Sequence, residues 1–226
     1  MNRVDLRNFF YARDVGPGIW KWDHYFDIYE RHFHRFRDKP VTVAEIGIYS
    51  GGSLDMWQYY FGPQARIVGI DIEPDCRIYE RDGVSIYIGD QSSKAFWSTF
   101  RTSEPSIDIV IDDGSHKSKH QMITFEALFP HIQPGGVYLC EDIHGYPTNN
   151  FAEYMAAFSQ QLHDHTGFEK NKDDNNRRLV KKPTLFQKEV KSISFYPYVC
   201  VVEKNERDID EFIAPKRGTE WQPFSP

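Results

Sequence analysis

Five short apolar runs, each followed by a segment with helical spacing or by a turn, limit the folds that this 226-residue chain can adopt. The runs are nearly continuous and rich in β-branched residues, which is typical of parallel strands buried on both faces. They cover residues 41–48, 66–70, 84–88, 107–111 and 137–140. Helical patterns at residues 53–61, 76–81, 92–100 and 119–128 separate them. The alternation predicts an open α/β sheet with helices on both faces.

The flanking segments complete a single predicted domain over residues 1–226. Aromatic residues spaced three and four apart predict an amphipathic helix over residues 20–37, within an N-terminal helical cap of residues 1–40. Another helix is predicted over residues 150–162. Residues 192–195 and 199–203 predict a terminal antiparallel hairpin. Polar composition predicts a mobile loop over residues 163–188, a candidate lid for the acceptor, and an extended tail over residues 205–226.

Composition excludes several classes of protein. A net charge of -6 offers no electrostatic footprint for nucleic acid. Three scattered cysteines form neither a disulfide framework nor a thiolate zinc site. Charges in the N-terminal residues and the lack of a long apolar stretch argue against a signal peptide and a membrane helix. We therefore expect a soluble, cytoplasmic protein, and the aromatic-rich N-terminal segment would suit a homo-oligomer.

A glycine-rich turn follows the first predicted strand, with the spacing E-x-G-x-x-x-G-G-S from Glu45 to Ser53. In open α/β sheets, glycines at this turn let a nucleotide approach the backbone. The spacing differs from the dehydrogenase fingerprint GxGxxG, which favours an adenosyl cofactor other than a nicotinamide. A plain glycine turn remains the alternative.

The ends of the next two strands offer further contacts for an adenosyl group. Asp71 follows the second strand, where a carboxylate can accept two hydrogen bonds from ribose hydroxyls. Asp90 and Gln91 follow the third strand at a position suited to an adenine edge, although Asp90 could simply cap a helix. The full set of predicted cofactor contacts is Glu45, Gly47, Tyr49, Ser53, Leu54, Asp71, Ile72, Asp90, Gln91 and Asp112.

Four carboxylates crowd the ends of the fourth and fifth strands: Asp112, Asp113, Glu141 and Asp142. Carboxylates this close repel unless a proton or a cation intervenes, and an all-oxygen set favours a hard ion such as Mg²⁺. We predict Asp113, Glu141 and Asp142 as ligands. Neighbours on a regular strand point to opposite faces, so Glu141 and Asp142 can share an ion only if the strand has ended before them. Helix capping and turn formation are the alternatives.

His116 lies three residues after Asp113 and is the candidate general base. Asp113 and His116 are thus the predicted catalytic pair, unless His116 is only a surface or capping residue. His116 and His120 also show the spacing of a helical zinc pair, but no catalytic glutamate lies between them. We therefore reject a metalloprotease site.

Four segments resemble a known family: VAEIGIYSGGSLDMW, IVGIDIEP, DIVIDDGSH and PGGVYLCEDIH. They are similar to the metal-dependent sugar O-methyltransferases of macrolide tailoring and to the related cephalosporin hydroxylase family. The resemblance covers roughly residues 20–203. It implies a class I methyltransferase fold, with a seven-stranded, mostly parallel sheet and a C-terminal antiparallel hairpin, that binds S-adenosylmethionine. Within it, Glu45 matches the acid of the glycine turn, Asp71 the ribose acid, His116 the base, and Asp113, Glu141 and Asp142 the Mg²⁺ ligands.

The resemblance implies methyl transfer from S-adenosylmethionine to a sugar hydroxyl of a small-molecule glycoside or saccharide. The ion would chelate two acceptor oxygens while His116 removes the proton. One alternative is an oxygenase, although iron oxygenases commonly use two histidines and one carboxylate. Another is a non-catalytic cofactor-binding protein on the same fold.

Overall fold

The computed structural model describes residues 5–144, 150–164 and 178–218 of the chain. The strands are β1 (Thr42–Ile46), β2 (Arg66–Asp71), β3 (Val84–Ile88), β4 (Ile107–Asp112), β5 (Ile132–Cys140), β6 (Arg178–Lys181), β7 (Val190–Tyr196), β8 (Val199–Lys204) and β9 (Phe212–Pro215). The α-helices are α1 (Leu6–Tyr11), α2 (Tyr25–Phe33), α3 (Gly52–Phe61), α4 (Lys94–Ser103), α5 (Ser118–Leu128), α6 (Phe151–Gln160) and α7 (Leu185–Glu189). Short 3₁₀ turns lie at His34–Phe36, Pro74–Tyr79, Phe129–His131 and Gln161–His163.

Seven strands form the main sheet, in the order β3-β2-β1-β4-β5-β8-β7. Strands β1 to β5 pair in parallel, whereas β8 is antiparallel to both β5 and β7. This arrangement confirms the predicted seven-stranded, mostly parallel sheet with a C-terminal antiparallel hairpin. Because β1 and β4 are neighbours, the chain reverses its direction of progress across the sheet between them, and such a switch point opens a crevice at the carboxyl ends of the strands.

Hydrophobic side chains cover both faces of the sheet. Helices α1, α2 and α3 pack on one face with Trp57 and Phe33, and helices α4, α5 and α6 pack on the other with Trp97 and Phe125. The central strands are buried on both sides, which explains their nearly continuous apolar sequence. Burial of one large apolar side chain, such as that of Phe33 or Phe125, stabilises the folded state by about 1.5–3 kcal/mol of free energy.

The predicted helix over residues 20–37 is wrong at its start. The α-helix begins at Tyr25, and residues 12–24 form neither helix nor strand. We call residues 12–24 the N-terminal strap. Trp20 is 88% exposed, and Trp22, which continues the helical spacing, is also exposed, so neither contributes to the core. The side chain of Lys21 turns inward instead.

The predicted loop over residues 163–188 is only partly irregular. Its residues 165–177 lie outside the described residues, but β6 and α7 follow within the predicted loop. A capping box at Thr184 and Gln187 starts α7. In the predicted tail, β9 pairs with β6 as a separate two-stranded sheet, which a local pattern cannot reveal because the partners are distant in sequence. Residues 219–226 are likewise not described.

Candidate active site

A cavity of about 1080 Å³ opens at the carboxyl edge of the sheet. One end, here called the glycine end, is formed after β1, β2 and β3. The other end, here called the acid end, is formed after β4 and β5. Residues 18–22 of the strap and Tyr25 at the start of α2 complete its wall. The predicted cofactor and metal regions therefore belong to one cavity.

Backbone conformation shapes the glycine end. Gly47 has φ +84°, and a Cβ at this position would collide with the carbonyl oxygen of Asp113. Only glycine tolerates both conditions, so this residue lets the turn after β1 lie directly against the end of β4. The carboxylate of Asp71 accepts hydrogen bonds from the backbone amides of Ile48 and Tyr49 at 3.0 and 3.1 Å. Asp71 therefore holds the turn in shape while it faces the cavity.

The predicted cofactor contacts divide into two groups. Seven of them line the cavity: Gly47, Tyr49, Ser53, Asp71, Ile72, Asp90 and Gln91. Three are buried behind its wall: Glu45, Leu54 and Asp112.

The two buried acids support the residues in front of them. Glu45 accepts a 2.6 Å hydrogen bond from the hydroxyl of Ser53. Asp112 accepts from Gln91 at 2.5 Å and from Tyr138 at 2.8 Å, and burial raises its pKa to about 7. Both acids therefore position the cavity wall.

The acid end contains all three predicted ligands, but the ligand atoms that lie within 4.8 Å of one another belong to Asp113, Asp142 and His116, and Glu141 is not in that group. Strand β5 ends at Cys140, and Asp142 has φ +50°, so the chain has left the strand before the two adjacent acids. The condition for Glu141 and Asp142 to face one site is therefore met. Glu141 is only 1% exposed, whereas Asp113 and Asp142 are partly open to the cavity.

His116 lies beside Asp142. Its Nε2 is 3.9 Å from Asp142 Oδ2, and its backbone φ is +55°. Asp113, His116 and Asp142 each offer a ligand atom, and these atoms lie within 4.8 Å of one another. Positive φ at His116 and Asp142 is a strained conformation that clusters at functional sites.

Four donors near the N-terminus bind these acids, and none of them is among the predicted catalytic, cofactor-binding or metal-binding residues. Lys21 Nζ lies 2.6 Å from Asp113 Oδ2 and 2.9 Å from Glu141 Oε2. The Tyr29 hydroxyl donates to Glu141 at 2.6 Å. Asp142 Oδ1 accepts from Trp22 at 3.0 Å and from Tyr25 at 2.7 Å. In the sequence, the only sign of these contacts is Lys21, a lysine among aromatic residues of the predicted helix. The spacing pattern does not show in which direction its side chain points.

Buried charged groups at the acid end shift one another's pKa values. Burial by itself would lower the pKa of Lys21, but Asp113 and Glu141 outweigh burial and keep that pKa well above its usual range. Burial raises the pKa of Glu141, and the ammonium of Lys21 opposes part of the rise. The ammonium is therefore fully charged and serves as the counter-ion of two acids.

Comparison with known proteins identifies the domain. Residues 44–143 match the family described as methyltransferase domain. The chain superposes on the MycE methyltransferase of the mycinamycin biosynthetic pathway, solved in complex with Mg, SAH and mycinamycin VI, with a TM-score of 0.71 and 27% identity. That match covers 90% of this chain and 54% of the MycE chain. The chain has the class I methyltransferase fold.

Curated relatives of the chain are O-methyltransferases. An 8-demethyl-8-alpha-L-rhamnosyl tetracenomycin-C 2'-O-methyltransferase from Streptomyces olivaceus is 34% identical over 84% of this chain and 52% of its own length. A mycinamicin VI 2''-O-methyltransferase from Micromonospora griseorubida is 41% identical over 51% of this chain and 30% of its own length. The chain therefore spans about half or less of the length of these relatives.

The methyltransferase domain has no helix long and apolar enough to cross a bilayer within residues 5–144, 150–164 and 178–218.

Proposed function

We propose that this chain transfers the methyl group of S-adenosylmethionine to a hydroxyl of a sugar carried by a small molecule, with the help of a divalent cation such as Mg²⁺. The observation that carries the proposal is the shared cavity. Its glycine end has the features of a nucleotide site, and its acid end holds Asp113, His116 and Asp142 within reach of one another. The methyl donor and the acceptor hydroxyl would thus be bound next to each other in one cavity.

The glycine end fits an adenosyl group. Gly47 lines the cavity with its backbone, which its turn holds against Asp113. Asp71 accepts backbone hydrogen bonds from Ile48, Tyr49 and Glu73, which leaves lone-pair capacity on Oδ1 for a ribose hydroxyl. Gln91 lies at the end of β3, where its partner Asp112 fixes its amide. We assign the remaining cavity-lining residues of this end, Tyr49, Ser53, Ile72 and Asp90, to the same ligand.

The acid end fits a hard divalent ion. Asp113 and Asp142 supply oxygen ligands at the cavity surface, and Glu141 supplies the third carboxylate of the proposed set. An ion held there would supply Lewis acidity, lowering the pKa of an acceptor hydroxyl. The positive φ at Asp142 turns its carboxylate toward His116 rather than back along the strand.

His116 is the proposed base. Its Nε2 would take the proton of the acceptor hydroxyl, and Asp142 at 3.9 Å would stabilise the imidazolium that results. No covalent enzyme intermediate is needed, because the methyl group is carried by a sulfonium: the acceptor oxygen forms a bond to the methyl carbon as the carbon–sulfur bond breaks, and the neutral thioether S-adenosylhomocysteine leaves.

The acceptor is proposed to be a glycoside because the relatives include O-methyltransferases of a rhamnosyl tetracenomycin and of mycinamicin VI. The exposed side chains of Trp20 and Trp22 line the cavity and would offer aromatic faces to a sugar ring. The cavity is larger than a nucleoside requires, which leaves room for a second molecule.

Calorimetric titration with S-adenosylmethionine and with S-adenosylhomocysteine, each with Mg²⁺ and with chelator, tests the cofactor. Transfer of a labelled methyl group to matched pairs of glycoside and aglycone tests the acceptor. We expect binding of both nucleotides, and transfer only to glycosides and only with the ion present. Asp113→Asn should lose the response to Mg²⁺, whereas Asp75→Asn, outside the cavity, should not.

Absence of nucleotide binding by folded protein would refute the proposal. Equal methylation of an aglycone would refute the sugar acceptor. Product formation that requires oxygen in an anaerobic comparison would favour the oxygenase alternative.

A further inference from the structure

The ammonium of Lys21 lies among the carboxylates at the acid end. Its side chain is only 3% exposed. Besides its contacts with Asp113 and Glu141, it lies 3.5 Å from Oε1 of Glu45. That oxygen is buried and has no hydrogen-bond partner. One lysine thus serves as counter-ion to three acids from the ends of three different strands.

The contacts of Lys21 coincide with the proposed ligands of the divalent ion. Asp113 Oδ2 and Glu141 Oε2 both bind the ammonium, and the other oxygen of Glu141 accepts from Tyr29. Asp142 is held through Oδ1 by Trp22 and Tyr25. Each proposed ligand is therefore already bound by a donor from residues 21–29.

Two cations cannot share the same carboxylate oxygens in a buried site. Repulsion between an ammonium and a divalent ion grows steeply where water is excluded, and each also loses hydration on entering the site. Both oxygens of Glu141 are already bound, Oε2 by Lys21 and Oε1 by Tyr29, so an ion that takes Glu141 and the Oδ2 atom of Asp113 as ligands must displace the ammonium.

We propose that Lys21 and the divalent cation occupy the acid end in alternation. Without the ion, the Lys21 ammonium holds the acids together. Binding of the ion expels the Lys21 side chain from the acid end. This inference rests on the proposed function, because it presumes that the acid end takes a divalent ion.

The strap is attached on the far side of Lys21 by Trp22, which donates to Asp142, and by His24, which contacts the carbonyl of Pro197. It has no helix or strand, and Trp20, next to Lys21, is almost fully exposed. Its first half is attached elsewhere: Arg13 binds Asp55 at 2.6 Å, and the carbonyls of Pro17 and Gly18 lie against Gly52. Lys21 thus sits between two anchored points, the Arg13 contact and the start of α2. Displacement of Lys21 would change the acid end of the cavity and leave the glycine end in place.

Chemical labelling of the wild-type protein tests the displacement directly. An amine-acetylating reagent is applied with and without saturating Mg²⁺, and modification of each lysine is measured by mass spectrometry. We expect Lys21 to be protected without the ion and to be labelled several-fold faster with it. Lys204 is the internal control, because it is also buried but pairs with Glu189 at the opposite end of β8. Unchanged protection of Lys21 at saturating Mg²⁺ would overturn the inference.

Substitution of Lys21 gives a second test, in which the direction of the change in Mg²⁺ affinity separates competition from support. If the lysine competes with the ion, Lys21→Met should bind Mg²⁺ about tenfold or more tightly than wild type in calorimetry, because a competitor has been removed. Lys21→Arg, which keeps the charge, should not gain affinity, and Lys204→Met should match wild type. Equal or weaker Mg²⁺ binding by Lys21→Met would mean that the lysine merely supports the acids, and would overturn the inference.

Parallel titration with S-adenosylmethionine separates this failure from failure of the proposed function. If wild type and Lys21→Met both bind the nucleotide but neither binds Mg²⁺, the metal site and this inference fail together. If both bind Mg²⁺ equally, only the inference fails. Labelling of wild type decides the question if Lys21→Met does not fold.

Discussion

The two ends of the cavity are held together in different ways. At the glycine end, Asp71 binds backbone amides only 22 and 23 residues away, and conformation at Gly47 does most of the shaping. At the acid end, Lys21 binds Asp113 and Glu141 across separations of 92 and 120 residues. The glycine end is thus a local backbone structure, whereas the acid end is an electrostatic assembly of distant segments.

This difference suggests that the two ends can be disturbed separately. Changes at the glycine end should act on nucleotide binding, and changes at the acid end should act on the ion and on proton transfer. A change at Gly47 should affect both nucleotide binding and ion binding, because its turn lies against the backbone of Asp113.

The largest expected effect is at the acid end. Replacing His116 by Ala should lower turnover by roughly 10²- to 10⁴-fold, because the proposed base is lost. Affinity for S-adenosylmethionine should stay unchanged, since the glycine end is intact. Steady-state kinetics and calorimetry measure the two effects. His120→Ala, another histidine lining the cavity, is the control, and normal turnover in His116→Ala would eliminate the residue as base.

Gly47→Ala should affect both ends. The added methyl group would meet the Asp113 carbonyl at a backbone conformation that L-residues disfavour, and strain of this kind costs about 1–3 kcal/mol. We expect up to ~10²-fold weaker nucleotide binding together with altered Mg²⁺ affinity. Gly83→Ala is the matched control, because φ is +74° but the methyl group would meet only a movable Gln58 side chain. Loss of nucleotide affinity with unchanged Mg²⁺ affinity would show that the ends are independent even here.

Asp71→Asn should act on the glycine end alone. Loss of the charged acceptor weakens its hydrogen bonds to the turn and to ribose, and we expect about tenfold weaker binding of S-adenosylmethionine. Mg²⁺ affinity should match wild type in the same titrations. Asp75→Asn, on the same loop but outside the cavity, should behave as wild type. A changed Mg²⁺ affinity in Asp71→Asn would contradict the separation of the two ends.

The smallest effect is expected away from the cavity, where Glu203 on β8 ties down the end of α2. Hydrogen bonds from His32 and Arg35 hold the pKa of Glu203 at about 2, against an ordinary value of 4.5. A depressed folded-state pKa stabilises the protein above about pH 4.5, and this contribution is lost as the pH falls toward 2.

Glu203→Gln should therefore lose about 1–2 kcal/mol of unfolding free energy at neutral pH, and the difference from wild type should shrink on acidification. Urea denaturation at several pH values measures it, with exposed Glu153→Gln as control. Because α2 carries Tyr25 and Tyr29, Mg²⁺ binding should weaken slightly while nucleotide binding does not change. A pH-independent difference would contradict the assigned cause.

Much of the fold and part of the site could be predicted from the sequence. The parallel strands were predicted because burial on both faces demands apolar runs, and the positions of Asp71, Asp113 and Asp142 followed because parallel strands end at one edge. The start of α2 was misplaced because Ile19 and Trp22 keep helical spacing although they line the cavity. Pairing of β6 with β9 was missed because neither strand has a strong pattern of its own.

The chemical groups that gather at the edge of the sheet can be predicted from the sequence, since alternating strands and helices bring strand ends together whatever the loops do. How those groups are neutralised becomes visible only in the folded chain. It brings Lys21 into a buried cluster of acids and shows Glu45 and Asp112 to lie behind the cavity wall. The physical reason is that a buried ion pair depends on distance in space, and the chain between Lys21 and Glu141 carries no local trace of that contact.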